Sequence, residues 1–162
     1  MRLIAVGNAR LNSSRCENKM ARPFAGTSLV EIAVKRLASL AGFDGIYFAA
    51  YEDVLLNVAR KHLPANSIVT RSEQSALASS PITLVMEFLG DIDFDYCMWI
   101  NSCHAFLRPS TIEKAANEFR EKQASSMTAV RKRYSWFYSQ EGESINNDPR
   151  IVSTEKSSPI FE

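Results

Sequence analysis

A chain of 162 residues that is 46% hydrophobic and 23% charged has the makeup of a single soluble domain, long enough to bury a real core. Its formal net charge of +1 excludes the general polyanion-binding character of a nucleic-acid protein, so a basic cluster here is a local device suited to a small anion. Three cysteines, never spaced Cys-x-x-Cys, with no signal-peptide pattern and no apolar run of membrane length, point to a reducing, cytoplasmic setting rather than a disulfide framework or zinc site.

Apolar periodicity predicts alternating strands and helices, the pattern of βα units around a mainly parallel sheet in a Rossmann-like three-layer α/β/α fold. Leu3-Ile4-Ala5-Val6 reads as a first buried strand. It runs directly into a loop, residues 7–20, that carries Arg10, Arg15 and Lys19 with Glu17 as its one acid. The carboxyl ends of parallel strands open into the crevice where such folds bind nucleotides, so the loop reads as an anion-binding device. Neither Gly-x-x-x-x-Gly-Lys-Ser/Thr nor Gly-x-Gly-x-x-Gly occurs, which leaves side-chain cations rather than bare backbone amides to meet phosphates.

Phe24-Ala25-Gly26-Thr27 makes a turn, and Ser28-x-x-Glu31 is a capping box. The helix it opens carries Leu29, Ile32, Ala33, Leu37 and Leu40 at helical spacing and ends at Gly42. Residues 46–49 form a second strand, a helix runs from Asp53 through Leu63, and residues 67–69 form a short third strand. Ser80 as cap and Pro81 at the first helical position start a helix that turns Ile82, Val85, Met86 and Leu89 inward. Residues 96–100 are apolar without alternation, as in a strand buried on both faces, and are expected at the centre of the sheet. Ser110-x-x-Glu113 after Pro109 is a second capping box, opening a helix that reaches Lys122. Residues 127–130 read as another strand. Residues 134–138, the turn Glu141-Gly142-Glu143 and Ile151-Val152 read as a partly exposed C-terminal hairpin. No repeat, low-complexity tract or linker interrupts the chain, so residues 1–162 are expected to form one domain.

Ala9-Arg10-Leu11-Asn12-Ser13-Ser14-Arg15 with Lys19, then Phe24-Ala25-Gly26-Thr27-Ser28-Leu29, resembles the amino-terminal signature of the sugar-acid cytidylyltransferases. That signature is Ala-Arg-x-x-Ser-x-x-x-x-x-Lys followed by Gly-x-x-Leu, and the family includes the acylneuraminate and deoxy-octulosonate enzymes. Two later blocks follow in the family's order. Arg71-Ser72-Glu73 through Ser79-Ser80 is similar to its Arg-Pro-x-Glu segment before a Ser-rich helix start. Ile100-Asn101-Ser102-Cys103-His104-Ala105-Phe106-Leu107-Arg108 stands where the family has Leu-Gln-Pro-Thr-Ser-Pro-Leu-Leu-Arg. Asn8 departs from the Pro common before Ala-Arg, and Met20 from an Asn often found there.

The resemblance implies a nucleotide-diphospho-sugar transferase type of fold and transfer of CMP from CTP to a sugar acid of the nonulosonate or octulosonate class, with pyrophosphate leaving. It implies that Arg10 and Lys19 are catalytic, acting on the phosphates. It also implies that Ala9, Ser13, Arg15, Arg71, Ser79 and Ser80 help to bind the nucleotide, and that Asn101, in the place of the family's Gln, meets the sugar acid. Arginine offers a planar fork to two phosphate oxygens and lysine a compact point charge, and cations aimed where charge develops favour the transition state.

The resemblance further implies a Mg²⁺ cofactor, a homodimer and a part in making cell-surface polysaccharide, with neither nucleic acid nor membrane as partner. No protein ligand for the metal is found, because Asp91, Asp93 and Asp95 precede a strand and fall at the edge opposite the crevice. Family members continue beyond the equivalent of Glu162 into a segment that usually carries an Asp implicated in Mg²⁺ binding and much of the dimer contact. The alternative is therefore a truncated or degenerate relative that binds a nucleotide or a partner chain without turnover. Plainer readings stand beside these: the loop as solvated surface, Arg71 as a surface residue, Asn101 as a strand-end closure, Trp99 and Trp136 as packing. A Cys103-His104 nucleophile is disfavoured because adjacent residues on an extended segment face opposite ways.

Overall fold

A computed structural model of the chain describes residues 1–13, 16–77, 79–146, 150 and 157–162. They form two compact units, Met1–Glu121 and Lys122–Glu162. In chain order the first unit runs β1 (Leu3–Asn8), β2 (Pro23–Phe24), β3 (Thr27–Ser28), α1 (Leu29–Ala38), β4 (Gly45–Ala50), α2 (Asp53–Ala59), β5 (Ile68–Thr70), α3 (Ile82–Val85), β6 (Tyr96–Trp99) and α4 (Pro109–Glu121). Four of these strands make a parallel sheet in the order β5-β4-β1-β6. The order grows from β1 in one direction and then jumps to its other side. Such a reversal opens a crevice at the carboxyl ends of the strands.

Alternate residues of β1 feed opposite faces. Ala5 packs with Val30, Val34 and Leu37 of α1 and Leu55 and Leu56 of α2, while Ile4 and Val6 pack with Phe88, Met86 and Leu89. A strand covered on both faces has no polar side to show, so its sequence is apolar throughout. Gly7 is what lets α1 approach: a Cβ there would lie 2.7 Å from Leu37 Cδ1. The turn between β2 and β3 places Ala25 at φ 49 and Gly26 at φ 78, the left-handed pair that a two-residue hairpin needs. Ser28 then caps α1 as expected, its Oγ accepting the Glu31 N–H at 3.3 Å.

Several elements differ from expectation. β6 pairs with β1 alone among the described residues, so it lies at the edge of the sheet and not at its centre. Its faces are nonetheless partly covered: the Tyr96 ring meets Phe119 edge-on at 5.0 Å, and Cys97 joins the Phe88 cluster. Loss of alternation reports covered faces and carries no information about a second hydrogen-bonded neighbour. Trp99, expected as packing, is 51% exposed. α3 is a single turn followed by a 3-10 turn at Glu87–Asp91, and Phe88 takes the buried place while Ile82 is exposed. Ser80 does not cap it, because its hydroxyl donates to the Gln74 carbonyl and Pro81 holds the cap position. α4 starts on Pro109, which lacks an N–H to lose, and Glu113 accepts the Ala41 N–H at 2.9 Å where a capping box was expected. α1 ends at Ala38 and α2 at Ala59, leaving Gly42 and His62 beyond them.

In the second unit β7 (Lys132–Arg133) pairs antiparallel with β8 (Ile160–Phe161). The expected hairpin tip is present: the Ser139 N–H donates to the Glu143 carbonyl at 2.8 Å, Gly142 takes φ +85, and Tyr138 bridges to Ser144. Its return begins at Ser144, and Ile151-Val152 lies outside the described residues. Residues 127–130 form no strand, and Met127 and Val130 are exposed. An apolar run becomes a strand only where a neighbour supplies its backbone hydrogen bonds. Among the described residues no helix is long and apolar enough to cross a membrane.

Candidate functional site

The carboxyl end of β1 leads into the basic loop. Ala9 is buried and still in register, its N–H bonded to the Ala49 carbonyl at 3.1 Å. Arg10 leaves the sheet and donates from Nη1 to the Leu77 carbonyl at 2.6 Å, which ties the loop to the chain that follows β5. Lys19 lies in a turn where Asn18 takes φ 51 and its carbonyl accepts the N–H groups of Ala21 and Arg22 at 2.9 and 3.0 Å. Met20 beside it is buried and its carbonyl accepts the Val30 N–H at 3.0 Å, so the turn is fixed to the start of α1. The Lys19 ammonium has no partner among the described residues. Ser13 is half-buried, Glu17 is exposed, and Arg15 lies outside the described residues. Arg22 reaches Cys16 Sγ at 3.4 Å.

Arg71 follows β5 and is buried, contrary to the plain surface reading. Its Nη2 donates to the Ser75 carbonyl at 2.5 Å and its Nε has no hydrogen-bond partner. Burial pushes the pKa of this guanidinium down; the Glu52 carboxylate pulls it back up and Arg10 pushes it further down. Glu52 follows β4, and its Oε1 accepts the Leu11 N–H at 2.8 Å. Ser79 is exposed and Ser80 is bonded to Gln74, both on the segment that Arg10 contacts at Leu77. Ser72 donates through its hydroxyl and its N–H to Glu87, whose carboxyl is held below its ordinary range chiefly by that hydroxyl.

At the carboxyl end of β6, Asn101 Oδ1 accepts the Cys103 N–H at 2.9 Å, the strand-end closure expected of an Asn there. The loop is held from below by Arg36 of α1, a buried guanidinium whose Nη2 donates to the Asn101 carbonyl at 3.2 Å and whose Nη1 donates to the His104 carbonyl. Cys103 Sγ lies 3.9 Å from Met20 Sδ, which brings this third block against the first. The Trp99 indole N–H donates to Asn8 Oδ1 at 3.0 Å, spanning the ends of β6 and β1. All three cysteines are free, and burial pushes the Cys97 thiol up to about 11.

The three blocks therefore converge at one end of the sheet. The residues that join them, Arg36 and Glu52, are absent from the motifs. Glu52 precedes a helix and reads as an ordinary capping acid, while Arg36, between Lys35 and Leu37, reads as solvated. Among the described residues no group of three His, Cys, Asp or Glu could hold a metal ion. Asp93 and Asp95 lie at the opposite edge, engaged by Arg2 and the terminal ammonium.

A parallel sheet whose strand order reverses beside a cation-bearing loop is the architecture of the nucleotide-handling α/β proteins. This chain belongs to the cytidylyltransferase family, whose sequence profile matches residues 4–149. No curated protein sequence matches it. Among solved structures it is similar to a CMP:2-keto-3-deoxy-manno-octonic acid synthetase complexed with CTP, with 16% identity and a TM-score of 0.64 over 76% of this chain and 49% of that one. It is similar to a cytidylyltransferase from Leptospira borgpetersenii, with 19% identity and a TM-score of 0.60 over 76% of this chain and 51% of that one. It is also similar to a 4-diphosphocytidyl-2C-methyl-D-erythritol synthase from Anaerococcus prevotii, with 12% identity and a TM-score of 0.63 over 99% and 67%. The chain spans about half the length of the first two. At these identities the likeness is one of fold.

Proposed function

We propose that the chain carries the CTP site of an enzyme that transfers CMP from CTP to the anomeric hydroxyl of a sugar acid, releasing pyrophosphate. The observation that carries this reading is the cationic loop: Arg10 and Lys19 follow β1 where the strand order reverses, in a chain of the cytidylyltransferase family. The acceptor hydroxyl oxygen forms a bond to the α-phosphorus and gives up its proton to water. The bond from that phosphorus to the α–β bridging oxygen breaks, and pyrophosphate leaves with the electron pair. Negative charge grows on the bridging oxygen, and cations fixed there stabilise the transition state more than the ground state.

Arg10 and Lys19 are assigned to that charge. Arg10 rests on a neutral carbonyl, and exchanging that bond for one to a phosphate oxygen is favourable because charge-assisted hydrogen bonds are the stronger. Ala9, Ser13, Arg15, Arg71, Ser79 and Ser80 are assigned to the nucleotide and Asn101 to the acceptor. The sugar acid is supported by the likeness of the Asn101 block to the sugar-acid enzymes. Mg²⁺ belongs to the proposal as the family's cofactor, and no step is assigned to it. A Mycobacterium tuberculosis protein solved in complex with manganese, 14% identical with a TM-score of 0.51 over 72% of this chain and 59% of that one, has a related fold. The same reading puts the protein in the cytoplasm, as a homodimer supplying activated sugar for cell-surface polysaccharide.

Pyrophosphate release from CTP tests it, with 3-deoxy-manno-octulosonate, N-acetylneuraminate and methylerythritol phosphate offered in turn as acceptor. Release with a sugar acid is expected, falling on the order of 100-fold in Lys19→Ala. Release with methylerythritol phosphate alone would remove the sugar-acid part. CTP binding without release from any acceptor would leave a nucleotide-binding relative.

A further inference from the structure

Just past the carboxyl ends of three adjacent strands, in the spatial order β5-β4-β1, come Arg71, Glu52 and Arg10: an acid after the middle strand and an arginine after each of its neighbours. No motif includes Glu52. It occupies the N-cap position of α2 and makes no side-chain cap bond there. Its Oε1 instead crosses to the Leu11 N–H, 41 residues away in the chain, at 2.8 Å. We propose that Glu52 is a positioning residue of the basic loop: its carboxylate, bonded to the amide next to Arg10, fixes how the loop presents Arg10 to a triphosphate.

The Leu11 N–H belongs to the peptide plane that joins Arg10 to Leu11. That plane is rigid, so pinning its N–H sets the direction in which the chain carries Arg10. A hydrogen bond to an ionised acceptor is about twice as strong as a neutral one, and this one is partly buried. The second oxygen, Oε2, is buried without a hydrogen-bond partner, a costly arrangement for a carboxylate unless positive charge stands close by. The Arg71 guanidinium feels this carboxylate, which raises its pKa, while Arg10 lowers it. Glu52 thus holds one cation of the site through its neighbour's amide. Arg10 keeps its own guanidinium bond to Leu77, so the carboxylate orients the loop without neutralising the arginine in a direct ion pair.

What Arg10 is aimed at rests on the nucleotide reading above; what aims it rests on the Leu11 bond alone. Glu52→Gln and Glu52→Ala remove the same charge, but only glutamine keeps an oxygen able to accept the Leu11 N–H. In the full chain, hydrogen exchange of the Leu11 amide is expected to quicken about tenfold in Glu52→Ala and to stay slow in Glu52→Gln. The CTP dissociation constant, measured by calorimetry, is expected to rise about tenfold in Glu52→Ala. Glu52→Gln should bind CTP at least as tightly as the unaltered chain, since a negative charge near the phosphates has gone. Equal CTP affinity in the two variants, or unchanged Leu11 exchange in Glu52→Ala, overturns the proposal. If Glu52→Ala does not fold, Glu52→Asp takes its place, keeping the charge but falling a methylene short; fast exchange is expected, and wild-type exchange overturns the proposal. Should the unaltered chain bind no CTP, the nucleotide reading fails, while the exchange result still decides whether Glu52 holds the loop.

Discussion

The two ends of the parallel sheet use charge differently. At the amino ends the charges are exposed and paired: Arg2 Nη1 meets Asp93 Oδ2 at 2.6 Å, and Asp95 accepts the Arg2 N–H at 2.6 Å while lying 3.7 Å from the terminal ammonium. At the carboxyl ends the guanidiniums go to neutral carbonyls, Arg10 to Leu77, Arg36 to Asn101 and His104, Arg71 to Ser75. An ion pair satisfies both partners and leaves little field for a third. A cation resting on a carbonyl keeps its charge, and at this end the Glu52 carboxylate goes to a neutral N–H in the same way.

The contrast is tested most severely at Arg36. Arg36→Met keeps an apolar stem but strands the Asn101 and His104 carbonyls, and urea unfolding should show a loss of about 2–4 kcal/mol. A neutral outcome would mean that the loop after β6 holds itself. Arg2→Ala sharpens the comparison from the other edge. It removes an exposed pair and should cost roughly 0–1 kcal/mol, with CTP affinity unchanged. A loss as large as that of Arg36→Met would erase the difference between the edges.

The smallest effect is expected at Glu31, near the start of α1. Its carboxyl is lowered from 4.5 to about 2, first by Lys35, then by Thr27, with His62 adding a smaller contribution. A carboxyl depressed in the folded state stabilises above its unfolded value and loses that contribution as pH falls toward the folded one. Between pH 4.5 and about 2, thermal unfolding of Glu31→Gln should therefore fall less steeply with acid than that of the unaltered chain. Parallel curves across this window would show that the exposed network contributes nothing. Salt screens such a pair, which is why the effect ranks last.

Much of the site was legible along the chain. The Arg10 to Lys19 loop announces itself because it interrupts an apolar strand with cations, and Ser28 announces α1 because a capping box is local chemistry. Asn101 closes its strand end as its residue type suggests. The readings that failed depended on neighbours. The apolar run at β6 could not reveal that one side of the strand has no partner among the described residues, nor could Ser80 show that its hydroxyl turns back to Gln74. Arg36 and Glu52 look like solvated helix residues until the loops they hold are folded beside them, 65 and 41 residues away.

By itself the sequence determined the parallel α/β arrangement, the cationic crossover after the first strand and the family. Those follow from burial patterns and motif spacings written within short stretches of chain. Only the tertiary structure decided that β6 has one strand partner among the described residues, that Trp99 turns outward onto Asn8, and that a carboxylate after β4 and a guanidinium from α1 hold the two loops of the crevice. Those are hydrogen bonds between distant residues, and their partners are chosen by which strand ends come to lie side by side.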